Sequence, residues 1–246
     1  MKVDFLVVGA QKAGTSALDY YLRAHPEIAM ANVKEVHFFD NEELFSGQSN
    51  YPAYHRCFTQ PLNGEEVIFG ESTPIYMYWE PSIARIWNYN PNIKLIAVLR
   101  NPIERAYSQW NMERDRGLET LPFGEAIRME AERCRQALPY QHRVFSYLDR
   151  GFYSAQIRKM LRFFPQEQIL LIKYEDLRNQ PAETMANVFG FLGVRPDIEV
   201  EQENIHSRAY PEKLLPEDRD FLRDVFRYEV KQLEQMLDWD CSDWLS

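Results

Sequence analysis

The sequence predicts an α/β fold, a single domain over residues 1–246 with a central, mostly parallel sheet flanked by helices. Three observations predict it. Short apolar runs recur at Val3–Val8, Glu66–Gly70, Lys94–Leu99 and Gln168–Ile172, as strands buried on both faces require. Amphipathic helical patterns fall between these runs, the arrangement that builds parallel sheets. No 20–50-residue repeat, low-complexity stretch or composition shift marks a boundary along the chain.

Each element has a local reason. Val3-Asp4-Phe5-Leu6-Val7-Val8 reads as the first strand and Thr15–Arg23 as the helix after it. Pro102 sits at a helix start, where its missing N–H costs nothing, and that helix runs to Arg114. Tyr153–Phe163 places Ile157, Met160, Leu161 and Phe164 at helical spacing, and Pro165 ends it. Pro181 opens a helix to Leu192, and Pro216 a long last one to about Leu237. Glu130–Arg135 reads as a solvated helix face. Trp239 and Trp244 read as packing anchors. The irregular stretches Asn41–Glu65 and Arg195–Leu215 are long enough to expect function there, and Asn41–Glu65 and Leu118–Arg150 are expected to shape acceptor choice.

Charge and cysteine usage narrow the function. The 246 residues carry 28 basic and 37 acidic side chains, a formal charge of −9. That argues against general nucleic-acid or anionic-membrane binding, though not against a local basic pocket. Cys57, Cys134 and Cys241 form no CxxC pair, so neither a disulfide framework nor a zinc site is suggested. No apolar run approaches the ~18 residues of a membrane span, and the N-terminus lacks a secretory pattern. A cytoplasmic protein is expected.

Two segments carry anion chemistry. After the first strand comes Gly9-Ala10-Gln11-Lys12-Ala13-Gly14-Thr15-Ser16, then a helix. Glycines five apart let the chain turn so that successive N–H groups surround an anion at the helix start. Lys12 adds a full charge, and Thr15 and Ser16 add hydroxyls. A kinase or GTPase needs a lysine directly after the second glycine, together with Mg²⁺-holding carboxylates; Thr15 stands there instead. A P-loop-like nucleotide kinase is therefore the alternative reading. The second segment is Arg100-Asn101-Pro102 followed by Arg105-Ala106-Tyr107-Ser108. Arg100 at a strand end and Ser108 two helical turns on are suited to clamp another phosphate.

Together these segments resemble the sulfotransferases that use 3′-phosphoadenosine-5′-phosphosulfate (PAPS). Gln11–Ser16 is similar to that family's P-loop-like 5′-phosphosulfate loop, and Leu99–Ser108 to its 3′-phosphate motif. Lys34-Glu35-Val36-His37-Phe38-Phe39-Asp40 resembles the segment that carries the catalytic glutamate in the heparan sulfate branch and its bacterial relatives. Gly70–Tyr76, Gly151–Tyr153, Tyr174–Leu177 and His206–Pro211 also look familial. The resemblance covers essentially the whole chain, in order.

The resemblance implies transfer of a sulfuryl group from PAPS to an acceptor hydroxyl or amine of a small molecule, lipid or glycan, leaving PAP and using no metal. Gln11, Lys12, Ala13, Gly14, Thr15, Ser16 and Ala17 are the expected 5′ contacts. Arg100, Ser108, Tyr153, His206, Ser207 and Arg208 are the expected contacts to the rest of the donor; Tyr153 reads equally as core. Lys12 is the expected cation on the leaving phosphate, by analogy to phosphoryl transfer. Glu35 is the expected general base, and partial burial beside Phe38 and Phe39 is expected to raise its pKa above the ordinary ~4.3. His37 either orients Glu35 or touches the acceptor. Asp40, Ser72 and Tyr76 complete the expected acceptor side, although Tyr76–Trp79 reads as well as core. Relatives often carry lysine where Ser72 stands and Lys-Gly-Arg where His206-Ser207-Arg208 stands. Both departures imply a less basic acceptor cleft, unsuited to a highly sulfated polyanion.

Overall fold

The computed structural model describes residues 2–47, 49–59, 66–197 and 213–246. Along the chain run β1 (Phe5–Gly9), α1 (Thr15–Arg23), β2 (Ile28–Met30), α2 (Tyr51–His55), β3 (Ile68–Ser72), α3 (Ser82–Tyr89) and β4 (Lys94–Leu99). There follow α4 (Pro102–Asp115), α5 (Phe123–Arg128), α6 (Glu130–Arg135), α7 (Tyr153–Leu161), β5 (Ile169–Lys173), α8 (Tyr174–Asn179), α9 (Pro181–Leu192) and α10 (Pro216–Leu237). The described residues fall within two compact units, Met1–Leu99 with Lys159–His206 and Arg100–Arg158 with Ser207–Ser246.

The first unit holds the sheet, in the order β2-β3-β1-β4-β5. Every pairing is parallel, with Phe5 opposite both Gly70 and Lys94, and Leu99 opposite Lys173. The expected α/β class with a parallel sheet is thus the observed one. All five residues of β1 are buried, which explains why it reads as an unbroken apolar run. The strand order reverses direction about β1, and in such sheets ligands gather outside the carboxyl ends of the strands at that point. The loop after β1 occupies this position.

Two differences from the expected elements matter for the site. β3 lies two residues further on than its apolar run, because Glu71 and Ser72 pair with Leu6 and Val7 in the ladder. β2 is only three residues long and has no periodicity of its own; pairing with β3 makes it a strand.

The second unit is helical among the described residues. Asn101 caps α4, its side-chain oxygen accepting from the N–H of Ile103 at 2.9 Å, with Pro102 at the first helical position. Its amide donates to the carbonyl of Trp244 at 3.0 Å, so that tryptophan, itself buried, is an anchor as expected. Arg105 is fully buried, donating to Gln109 at 2.8 Å and to the Tyr147 carbonyl. Glu130 departs from the expected solvated face. It is buried and accepts from the N–H groups of Leu148 (2.6 Å) and Asp149 (2.8 Å), an anchoring role that a charge run does not reveal.

Candidate active site

The loop after β1 turns within the first unit through Ala13 N–H to Ala10 O at 3.1 Å and closes onto α1 through Ala17 N–H to Gly14 O at 3.0 Å. Lys12 has φ 70° and Gly14 φ 89°, so backbone donors turn in succession about one place. A Cβ on Gly14 would stand 2.9 Å from the Tyr174 ring, so glycine is required both by conformation and by space. A Cβ on Gly9 would strike the Met77 sulfur. No side chain caps the start of α1. Gln11, Lys12, Gly14, Ser16 and Ala17 are partly exposed, whereas Ala13 and Thr15 are buried beneath them. This donor set, with a cation and hydroxyls at a helix start, fits a phosphosulfate.

The segment from Lys34 to Asp40 lies against this loop. Glu35 N–H donates to the Ser72 carbonyl at 2.9 Å, tying the segment to the end of β3. Lys34 Nζ lies 2.8 Å from Ser16 Oγ and 3.4 Å from Glu35 Oε1. The other carboxylate oxygen, Oε2, faces His37 Nε2 at 3.5 Å. The far nitrogen of the same imidazole, Nδ1, is 3.0 Å from Asp40 Oδ2. A turn, Asn41 N–H to Phe38 O, brings Asp40 back under His37; an extended chain would have placed it on the opposite face.

Backbone conformation marks the same residues. Of the described residues other than glycine, Lys12, Glu35, His37 and Asp238 have positive φ. Asp238 caps the end of α10, an ordinary place for it. The other three are the expected catalytic residues. Left-handed backbone at non-glycine residues is costly and persists where the surroundings enforce it, commonly at functional sites.

The surroundings do enforce it. The N–H groups of Phe38 and Phe39 donate to the Tyr76 hydroxyl at 3.0 and 3.4 Å. The Phe39 carbonyl accepts from Ser82 (3.1 Å) and Arg85 (3.0 Å) at the start of α3, and Phe38 stacks on Tyr54 with centroids 4.6 Å apart. Beneath lies Glu71, fully buried, accepting from Tyr54 (3.0 Å) and Thr73 (3.2 Å). Burial pushes its pKa up to about 7 against those hydrogen bonds.

The electrostatics correct one expectation. Glu35 is held below the ordinary carboxylate range, not above it. The His37 hydrogen bond, aided by Lys34, outweighs the desolvation by burial. Reciprocally, the hydrogen bonds that His37 donates to Asp40 and then to Glu35 raise it to about 9. At neutral pH the cluster is therefore an imidazolium between two carboxylates.

Three residues expected on the acceptor side lie deeper than that. Asp40 is 1% exposed and faces His37; Ser72 is equally buried and serves Glu35 through its carbonyl; Tyr76 is fully buried and holds the Phe38–Phe39 backbone. They support the site rather than line it, because the chain turns back over them. Tyr153 is fully buried too, its hydroxyl donating to the Arg100 carbonyl at 2.9 Å, so its ring packs in the core of the second unit rather than offering a face for adenine. Arg100 is half-buried and Ser108 buried, on their own unit. His206, Ser207 and Arg208 lie outside the described residues. Lys34 carries no role in the sequence reading, although a cation next to a proposed base is a readable signal.

Among the described residues, no His, Cys, Asp and Glu group is placed to hold a metal ion, and no helix is long and apolar enough to cross a membrane.

Comparison with known proteins gives the family and the fold. A model of the sulfotransferase domain matches residues 2–213. The human bifunctional heparan sulfate N-deacetylase/N-sulfotransferase 2 is 29% identical over 200 residues, which are 78% of this chain and 22% of that protein. The chain thus spans about a fifth of the length of such relatives. The membrane-associated sulfotransferase kil1 of Dictyostelium discoideum is 24% identical over 96% of this chain and 65% of that protein. A crystal structure of a sulfotransferase from Alicyclobacillus acidocaldarius superposes over the whole of both chains with a TM-score of 0.83 at 29% identity. A mouse sulfotransferase solved with PAP shares the fold, with a TM-score of 0.59 at 14% identity over 100% of this chain and 88% of that one.

Proposed function

This chain belongs to the sulfotransferase domain family, and on that premise we propose that it moves a sulfuryl group from PAPS to an acceptor hydroxyl or amine with Glu35 as general base. One observation carries the reading: Lys34 joins Ser16 of the anion loop to the Glu35 carboxylate, so the donor site and the base form one cluster. The mouse relative, solved with PAP, supports the choice of donor. Bound at the loop, PAPS supplies the sulfuryl group and a phosphate leaving group.

The chain's own residues do the rest. The loop N–H groups from Gln11 to Ala17 hold the 5′ end. Lys12 sets a positive charge where charge develops on the leaving oxygen, stabilising the transition state more than the ground state. Glu35, ionised at neutral pH, accepts the acceptor proton on a carboxylate that His37 and Lys34 orient. Asp40 fixes His37 through Nδ1, so that Nε2 faces Glu35. Arg100 and Ser108 hold the 3′-phosphate, on the strength of their motif. The formal charge of −9 favours an acceptor that is not itself a polyanion.

Calorimetric titration of the whole chain with PAP and, separately, with ATP and Mg²⁺ tests the reading. PAP is expected to bind without metal. Binding is expected to weaken in Lys12→Ala and in the Arg100→Ala/Ser108→Ala double variant. Tight ATP binding with no response to PAP overturns the proposal in favour of a kinase.

A further inference from the structure

Lys34 sits at the join between the anion loop and the catalytic segment. Among the described residues its ammonium has two partners, Ser16 Oγ at 2.8 Å and Glu35 Oε1 at 3.4 Å. Ser16 lies in the first turn of α1, where the loop meets the helix. Glu35 is attached from the other side, its N–H to Ser72 O at the end of β3. One cation therefore spans two segments 18 residues apart in sequence.

We propose that Lys34 is a positioning residue that couples the anion loop to the base. Its ammonium, anchored on Ser16, clamps one oxygen of Glu35 while His37 clamps the other. The inference rests on the reading of Glu35 as the base. A carboxylate on a flexible stem, half exposed at the surface, samples many rotamers. Two cationic donors, one on each oxygen, select one of them. Because Lys34 is also fixed to Ser16, the selected rotamer is referenced to the anion loop rather than only to the local chain. An anion arriving at Ser16 competes for the same ammonium, so loop occupancy is felt at Glu35. Among the described residues, the charged groups paired with Glu35 are Lys34 and His37, with Asp40 behind the imidazole.

Nuclear magnetic resonance of the whole chain carrying ¹³C-labelled glutamate side chains tests this without an acceptor. The Glu35 signal is assigned by its loss in Glu35→Gln. Removing an opposite charge that touches a carboxylate raises its titration midpoint by about one pH unit. Lys34→Met is expected to show that rise, and Lys34→Arg to restore the wild-type midpoint. Ser16→Ala, which leaves the lysine in place, is expected to raise the midpoint by less. An unmoved midpoint in Lys34→Met overturns the clamp, and an unmoved midpoint in Ser16→Ala overturns the anchor.

Titration with PAP is the second arm. PAP is expected to shift the wild-type Glu35 midpoint and to leave that of Lys34→Met in place. Equal shifts in both proteins overturn the coupling. If PAP fails to bind the wild type at all, the sulfotransferase reading fails, while the Lys34 titration still decides the clamp.

Discussion

Glu35 Oε2 lies 3.5 Å from His37 Nε2, and both residues hold left-handed backbone to bring the two groups together. The pair has a pH signature. His37 is raised to about 9, chiefly by its hydrogen bond to Asp40 and then by that to Glu35. A raised folded pKa stabilises fully below the unfolded value of 6.5 and is lost as pH climbs through about 9. Glu35 is lowered, so its contribution is present above 4.5 and is lost on acidification. The two directions agree, and the pair is strongest between those limits. With His37 46% exposed, solvent screening limits its worth to about 1 kcal/mol or less, roughly 2–4 °C in Tm at this length. Calorimetry from pH 6 to about 10 is expected to show that fall in wild type and a flatter profile in His37→Gln. Equal profiles would show that the imidazole carries no such charge.

Tyr76→Phe isolates the support beneath the pair. The hydroxyl accepts from two backbone N–H groups, those of Phe38 and Phe39, and its loss leaves both without that acceptor in a buried place. Unsatisfied buried donors cost about 1–3 kcal/mol, or roughly 2–4 °C in Tm per kcal/mol. The segment that sets Glu35 and His37 is displaced with them. Turnover is expected to fall roughly 10–100-fold, as small misplacements of catalytic groups do. PAP affinity is expected to hold, since the Tyr76 hydroxyl serves the Phe38–Phe39 backbone. A parallel loss of PAP affinity would point to general unfolding of the first unit instead.

Gly14→Ala tests the anion loop. The new Cβ meets a left-handed φ of 89° and a tyrosine ring at 2.9 Å. The conformation alone costs about 1–2 kcal/mol for a non-glycine residue. If the loop moves to relieve the strain, its N–H groups no longer converge. PAP affinity is expected to drop about tenfold or more, a change of about 1.4 kcal/mol, by calorimetric titration. The double variant Gly14→Ala/Tyr174→Ala is expected to recover only part of it, because the backbone term remains.

What was readable in the sequence was what local spacing encodes. Glycines five apart before a helix and a proline at a helix start carry their meaning within a few residues, whereas the Lys-Glu-Val-His-Phe-Phe-Asp run stands out through its resemblance to the family's segment. The parallel sheet followed from the apolar runs. What escaped depends on partners far along the chain. The Tyr76 hydroxyl meets Phe38 across 38 positions, and nothing in an aromatic run distinguishes that duty from lining a pocket. Glu71 joined a strand because of its pairing with Leu6, not because of its own preference. The sign of the Glu35 shift turns instead on near neighbours whose placement depends on an unusual backbone. Neighbouring phenylalanines suggest only burial, whereas the deciding groups are His37, set against the carboxylate by left-handed backbone at both residues, and Lys34.

Glu35→Gln is the decisive variant for chemistry. The substitution keeps the shape and one acceptor oxygen but removes the basic site. General bases contribute about 10²–10⁴ in rate, so turnover is expected to fall by at least about 10², with PAP affinity kept. The assay needs an acceptor, and labelled PAPS incubated with cell extracts, read by mass spectrometry for a sulfated product, identifies one. The depressed Glu35 pKa shapes the rate profile too. A carboxylate held low is a weaker base, yet it is ionised throughout the neutral range, so the rate is expected to stay level from above pH 4.5 upward. The change comes on the alkaline side. As His37 loses its proton near pH 9, Glu35 loses its strongest partner and becomes more basic but less fixed. A flat acid limb with a break near pH 9, absent in His37→Gln, is the expected result. A rate that instead rises steadily from pH 5 to 7 would assign the base to a group with an ordinary histidine pKa and remove Glu35 from the role.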